Sequence, residues 1–130
     1  MNLALKTAGA ETELFIIDGS GAGKAHHEWV SGRTLSDKLL AEVQAFLAKS
    51  HAEITGLTGI VIFSGPGSFT SLRIGHTVAN ALADSRGIPV AGAQGDNWLV
   101  AGAAALKHTK PGVPALPHYG AEAHITKPKN

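Results

Sequence analysis

A chain of 130 residues that is 44% hydrophobic and 16% charged has enough apolar material for one ordinary core and is too short for two well-formed domains. A net charge of +1 gives no general affinity for polyanions, and the absence of cysteine excludes disulfides and thiolate chemistry and fits a cytosolic protein. Met1-Asn2-Leu3-Ala4-Leu5-Lys6 lacks the basic-then-apolar build of a signal peptide, and no apolar run approaches membrane-spanning length. These features describe a small soluble cytoplasmic domain without membrane attachment.

The first elements read as strands. Leu3 to Lys6 and Glu13 to Asp18 are short apolar stretches joined by Thr7-Ala8-Gly9-Ala10, and Asp18 to Gly23 forms a second turn into Lys24 to Val30. This predicts a three-stranded antiparallel start. Thr34, with Asp37 three positions on, offers a helix cap, and Leu35, Leu39, Leu40, Val43, Phe46 and Leu47 recur at helical spacing through about Lys49. Gly59 to Phe63 is a continuous apolar run, as expected of a central strand buried on both faces. A second helix is predicted from about Ser68 to Ser85, stopped by Gly87 as its C′ residue.

Ile88 to Gly92 predicts another strand, and Asp96 or Asn97 caps a third helix through about Lys107. The order βββαβαβα implies an α/β fold, helices packed on a mixed sheet, as one domain over 1–107. From His108 to Asn130, prolines 111, 114, 117 and 128 interrupt a sequence without apolar periodicity, which reads as a C-terminal tail.

Two tempting motifs fail. Gly19 to Lys24 does not have the spacing of a phosphate-binding loop, lies between hairpin strands and opens no helix, so it is a turn. His26 and His27 are adjacent, so on a strand they point to opposite faces and cannot chelate together. His118 and His124 have only Glu122 nearby as a carboxylate, and no metal set is expected. Ser64, Ser68 and Ser71 have no assignable base, so no nucleophilic triad is expected either.

Ser64-Gly65-Pro66-Gly67-Ser68-Phe69-Thr70-Ser71-Leu72-Arg73-Ile74-Gly75 carries more information. A strand, a Gly-Pro-Gly turn and a helix start can aim backbone N–H groups at an anion, with Gly65, Gly67, Ser68, Thr70 and Arg73 as the candidate loop. The same layout is also an ordinary strand-to-helix turn. Within the helix, Gly75, Ala79 and Ala83 are spaced by four, a stripe of small residues that would let a second helix approach or that simply packs on the sheet, the first being favoured. Leu72, Ile74, Val78 and Leu82 supply large side chains for burial, so the helix is expected to be contacted on two sides.

Ser64 to Gly75 resembles the hallmark of the TsaB (YeaZ) family of bacterial tRNA modification, which usually has Gly where this chain has Ser71. The likeness extends to Leu3-Ala4-Leu5, to Ser36-Asp37-Lys38-Leu39-Leu40, to Gly87-Ile88-Pro89-Val90-Ala91-Gly92, and to Pro117 to Pro128 in the tail. It implies a ribonuclease-H-like, actin-like half. It also implies a non-catalytic scaffold in the complex that makes N6-threonylcarbamoyladenosine (t6A), paired with the catalytic paralogue TsaD and joined by the ATPase TsaE. tRNA would be met only through the complex, and a homodimer would form when TsaD is absent.

By the resemblance, the interface is the first two helices, about Thr34 to Lys49 and Ser68 to Ser85. The expected contacting or supporting residues are Leu39, Val43, Leu72, Arg73, Gly75, His76, Val78, Ala79, Leu82 and Ala83. No cofactor is expected. Two departures argue against catalysis. Family members carry a second α/β half where this chain has only Gln94 to Lys110, and Lys6 stands where the family's first strand has Asp. The alternative reading is a small nucleotide- or phosphate-binding protein using the Gly-Pro-Gly loop.

Overall fold

The computed structural model describes residues 1–118. Strands β1 (Asn2–Lys6), β2 (Glu11–Ile17), β3 (Gly23–Val30), β4 (Gly59–Phe63) and β5 (Val90–Ala93) form one mixed sheet in the order β3-β2-β1-β4-β5. β1 pairs antiparallel with β2 and β2 with β3, while β1–β4 and β4–β5 are parallel. Helices α1 (Leu35–Lys49) and α2 (Phe69–Arg86) lie in the crossovers that the parallel pairs require, and α3 (Trp98–Leu106) follows β5. The predicted order of elements is the observed one.

Every residue of β4 is buried, as its unbroken apolar run implies, because helices cover both of its faces. On one face Leu3, Leu5, Leu14, Ile60 and Ile62 pack against Leu39, Val43 and Leu47 of α1 and Ala79 of α2. On the other, Ala4, Ile17, Val61 and Phe63 meet Trp98, Ala103 and Leu106 of α3. The parity of β1 separates the two cores: alternate residues point to opposite faces.

Local details differ from expectation where side chains find other partners. The Thr34 hydroxyl donates to the Ser31 carbonyl at 2.6 Å, so it does not cap α1. Asn97 precedes α3 without a side-chain capping bond. β5 begins at Val90, since Pro89 has no N–H to give; its carbonyl accepts from Ile60 instead. Gly87 ends α2 in the left-handed region at φ 67°, as its position predicts. The Asp18–Gly23 turn is a side-chain-built one. Asp18 Oδ1 accepts from the amides of Ser20 and Ala22, and these bonds, led by that of the Ser20 hydroxyl, push its pKa down to about 2.

After α3 the chain runs back across α2. Asn80 is the anchor: its Nδ2 donates to the Ala115 carbonyl at 3.0 Å while its Oδ1 accepts the Ala115 amide at 2.9 Å. The His118 amide donates to Ser64 O at 2.6 Å, so residues 107–118 are docked on the domain. The rest of the tail expected over 108–130, including His124 and the family-like stretch to Pro128, lies outside the described residues. Among the described residues no helix is long and apolar enough to cross a membrane.

Candidate protein interface

The Gly-Pro-Gly loop is held from two sides. The Ser64 amide donates to Ala93 O at 2.8 Å, the Gly65–Pro66 peptide is cis, and the Ser68 amide donates to Ala8 O at 2.8 Å. Ser68 then caps α2 by accepting from the Ser71 amide at 3.4 Å. Two of the loop's backbone donors, those of Ser64 and Ser68, are thus taken up by β5 and by the β1–β2 connection. Gly65 lies under the His118 carbonyl and Gly67 against Ala8, whereas Thr70 and Arg73 line a groove on the other side of the helix.

The small-residue stripe faces inward. A Cβ on Gly75 would lie 1.9 Å from Thr7 Oγ1, and Ala79 and Ala83 belong to the core shared with α1. The expectation that the stripe is a surface for a second helix is therefore corrected: its small residues let α2 settle on the end of β1. Leu39, Val43, Leu72 and Ala79 have no exposed surface, and Gly75, His76, Leu82 and Ala83 are also buried. Of the ten residues expected at an interface, Arg73 and Val78 reach the surface and the other eight support it from beneath.

The outward side of the helix pair is different. Ser36 of α1 and Phe69, Thr70, Arg73, Ile74, Thr77 and Val78 of α2 line a groove of about 310 Å³. Phe69 is 51% exposed and Leu40, one turn beyond Ser36, is 48% exposed. The Arg73 guanidinium sits 5.6 Å from the centre of the Phe69 ring, which orders both at the groove's mouth. Residues 69, 73 and 77 form one i,i+4 row, so their shared face was readable from spacing once the inward face was known. Sequence reasoning left open which face of each helix is outward, and it did not single out Phe69, Thr77, Ser36 and Leu40, which the structure places on that side.

Lys6 closes the end of β1 where a carboxylate would be needed to hold a cation. Its Nζ lies 4.6 Å from the centre of the Phe63 ring. His76 is turned inward, with Nδ1 donating to Leu72 O at 2.8 Å and Nε2 buried without a hydrogen-bond partner among the described residues. Burial pushes its pKa below the ordinary value of 6.5, only partly opposed by the bond to Leu72; His118 acts in the same direction as burial. In the unfolded chain His76 takes up a proton near its ordinary pKa, so its contribution to stability is complete above about pH 6.5 and is lost as pH falls through the window below. Urea midpoints between pH 7.5 and 5 should fall for the wild type. His76→Gln should flatten that dependence, and an identical slope in the variant would refute the assignment.

The model of the TsaD family, tRNA N6-adenosine threonylcarbamoyltransferase, matches residues 29–117. The tRNA threonylcarbamoyladenosine biosynthesis protein TsaB of Escherichia coli (strain K12) is 33% identical over 90 residues. The chain belongs to the TsaB/YeaZ family. Its match covers 69% of this chain and 38% of the E. coli protein, and an uncharacterized protein of Mycobacterium tuberculosis (strain H37Rv) is 38% identical over 63 residues, 48% of this chain and 30% of that one. The solved YeaZ from Pseudomonas aeruginosa superposes with a TM-score of 0.64 at 27% identity, over 72% of this chain and 43% of its own. A second structure, described as similar to peptidase YEAZ from P. aeruginosa, gives 0.65 at 27% identity, covering 72% of this chain and 42% of its own. This TsaB/YeaZ chain thus has the ribonuclease-H-like, actin-like half fold, and it spans about two fifths of the E. coli relative and of the solved neighbours.

Proposed function

We propose that this chain is a non-catalytic scaffold subunit of the cytoplasmic machinery that makes t6A in bacterial tRNA, and that it binds and activates a TsaD-like partner through α1 and α2. The supporting observation is the exposed apolar groove between those helices, lined by Phe69 and with Leu40 exposed one turn from Ser36, in a chain of this family. Burying such surface on a partner stabilises whichever partner conformation fits it, which is how a subunit without chemistry of its own can raise activity. A TsaE-like ATPase would join the pair, tRNA would be reached through the complex, and two copies would associate through the same face when the partner is missing. Lys6 over Phe63 agrees with a supporting rather than a catalytic role.

Co-expression of the tagged chain with a bacterial TsaD, followed by affinity purification and gel filtration, tests the reading. A co-eluting heterodimer is expected. Separate elution of the two proteins at tens of micromolar would refute it.

A further inference from the structure

The sheet face opposite α1 and α2 is covered by α3 mainly over its β4–β5 end, and its β2–β3 end carries a set of side chains with no part in the proposed interface. We propose that Glu13, His26 and Glu28 form a binding site for a divalent transition-metal ion of the zinc class. Register builds it. Glu13 and Glu28 are directly opposed across β2 and β3, and His26, two residues before Glu28, shares their face. Their ligand atoms lie within 4.8 Å of one another.

Without an ion, His26 is hydrogen-bonded to Glu13, and the spacing of the three groups is close to that of a coordination shell. His26 Nε2 is 3.1 Å from Glu13 Oε1 and 3.9 Å from Glu28 Oε1. Ligand atoms around an ion held at about 2.1 Å are roughly 3.0–3.4 Å apart, so the first pair already fits and the second needs a small rotation of an exposed carboxylate. The imidazole is oriented in advance: it stacks on Phe15 with centroids 4.4 Å apart and planes 14° apart, and Phe15 is held edge-on by Trp98 at 5.7 Å. Such support of a ligating ring is what tunes metal affinity.

Charge argues the same way. Two carboxylates placed directly opposite on neighbouring strands repel. The cation next in the row, Lys6, is paired with Glu13 in register but carries its Nζ over the Phe63 ring instead. A divalent ion between the two carboxylates and the imidazole would balance the charge of the carboxylates and leave coordination positions for water. His27, on the opposite face with Nε2 3.0 Å from Glu42 Oε1, takes no part, so adjacency of the two histidines is no obstacle: Glu28 lies two residues along the same strand as His26, and strand pairing brings in Glu13.

Calorimetric titration of zinc chloride into the full chain at pH 7 should show one saturable site. His26→Ala should abolish it, Glu28→Gln should weaken it by about tenfold or more, and His27→Ala should leave it unchanged. A wild type without saturable binding, or a site that survives His26→Ala intact, overturns the proposal. If His26→Ala does not fold by circular dichroism, the exposed Glu28→Gln variant decides, and wild-type affinity in it overturns the proposal equally.

Discussion

Gly75→Ala is expected to destabilise the protein by about 2 kcal/mol, and Gly75→Val by more. Alanine is the better helix former by about 1 kcal/mol, so helix propensity alone predicts the opposite sign. Packing decides. The added methyl would meet Thr7 Oγ1 at 1.9 Å and Thr7 Cβ at 2.9 Å, and Thr7 is itself fully buried at the end of β1. The neighbour is a β-branched side chain fixed on a strand, so it cannot swing aside as a flexible chain would; α2 must lift from the sheet. A double-mutant cycle isolates the contact. Thr7→Ala removes a hydroxyl that has no hydrogen-bond partner among the described residues, so it should cost little. In that background Gly75→Ala should recover part, though not all, of the loss. Urea denaturation followed by circular dichroism reads each variant. A wild-type midpoint for Gly75→Ala, or strictly additive effects, would show that α2 is not seated as described.

The same contact explains which features could be read from the sequence. Element order followed from patterns with a direct physical cause: the all-apolar β4, the helical recurrence from Leu35 to Leu47, and Gly87 as a helix stop. Ser64 to Gly75 carried the family resemblance and with it the actin-like half. What stayed hidden was the rotation of α2 about its own axis. A helix between a sheet and a neighbouring helix buries small residues where its backbone comes closest and large ones where gaps must be filled, so size alone does not mark the inner side. Gly75 and Leu72 are both buried, for those two reasons, and the residues left outside include Phe69, Thr70, Arg73 and Thr77. The Glu13–His26–Glu28 cluster was hidden for a different reason. It depends on the register of β2 against β3, which includes a shift between Ile16 and Ile17 that no local pattern announces. Sequence spacing shows what one strand carries, while strand pairing decides which residues meet.

Substitutions on the outward face should break association while leaving the domain folded. Leu40→Glu and Thr77→Arg are the informative variants, because both residues are exposed, Thr77 lining the α1–α2 groove and Leu40 lying one helical turn from Ser36 of that lining. Each places a charge where an apolar contact is proposed, and loss of a central anchor typically costs about 2–4 kcal/mol, or roughly 30- to 1,000-fold in dissociation constant. Exposed helix positions away from the core tolerate such changes within about 0.5 kcal/mol of stability, so urea midpoints should stay near wild type. The contrast with Ala79 is instructive: Ala79→Trp would also prevent association, but through a residue with no exposed surface, and therefore by disrupting the core. Only the outward variants separate recognition from folding. Measured by surface plasmon resonance against a bacterial TsaD, both should bind at least tenfold more weakly than wild type. If both bind as wild type does while the wild-type complex forms, the partner sits elsewhere on the chain, and the groove between α1 and α2 is not its seat.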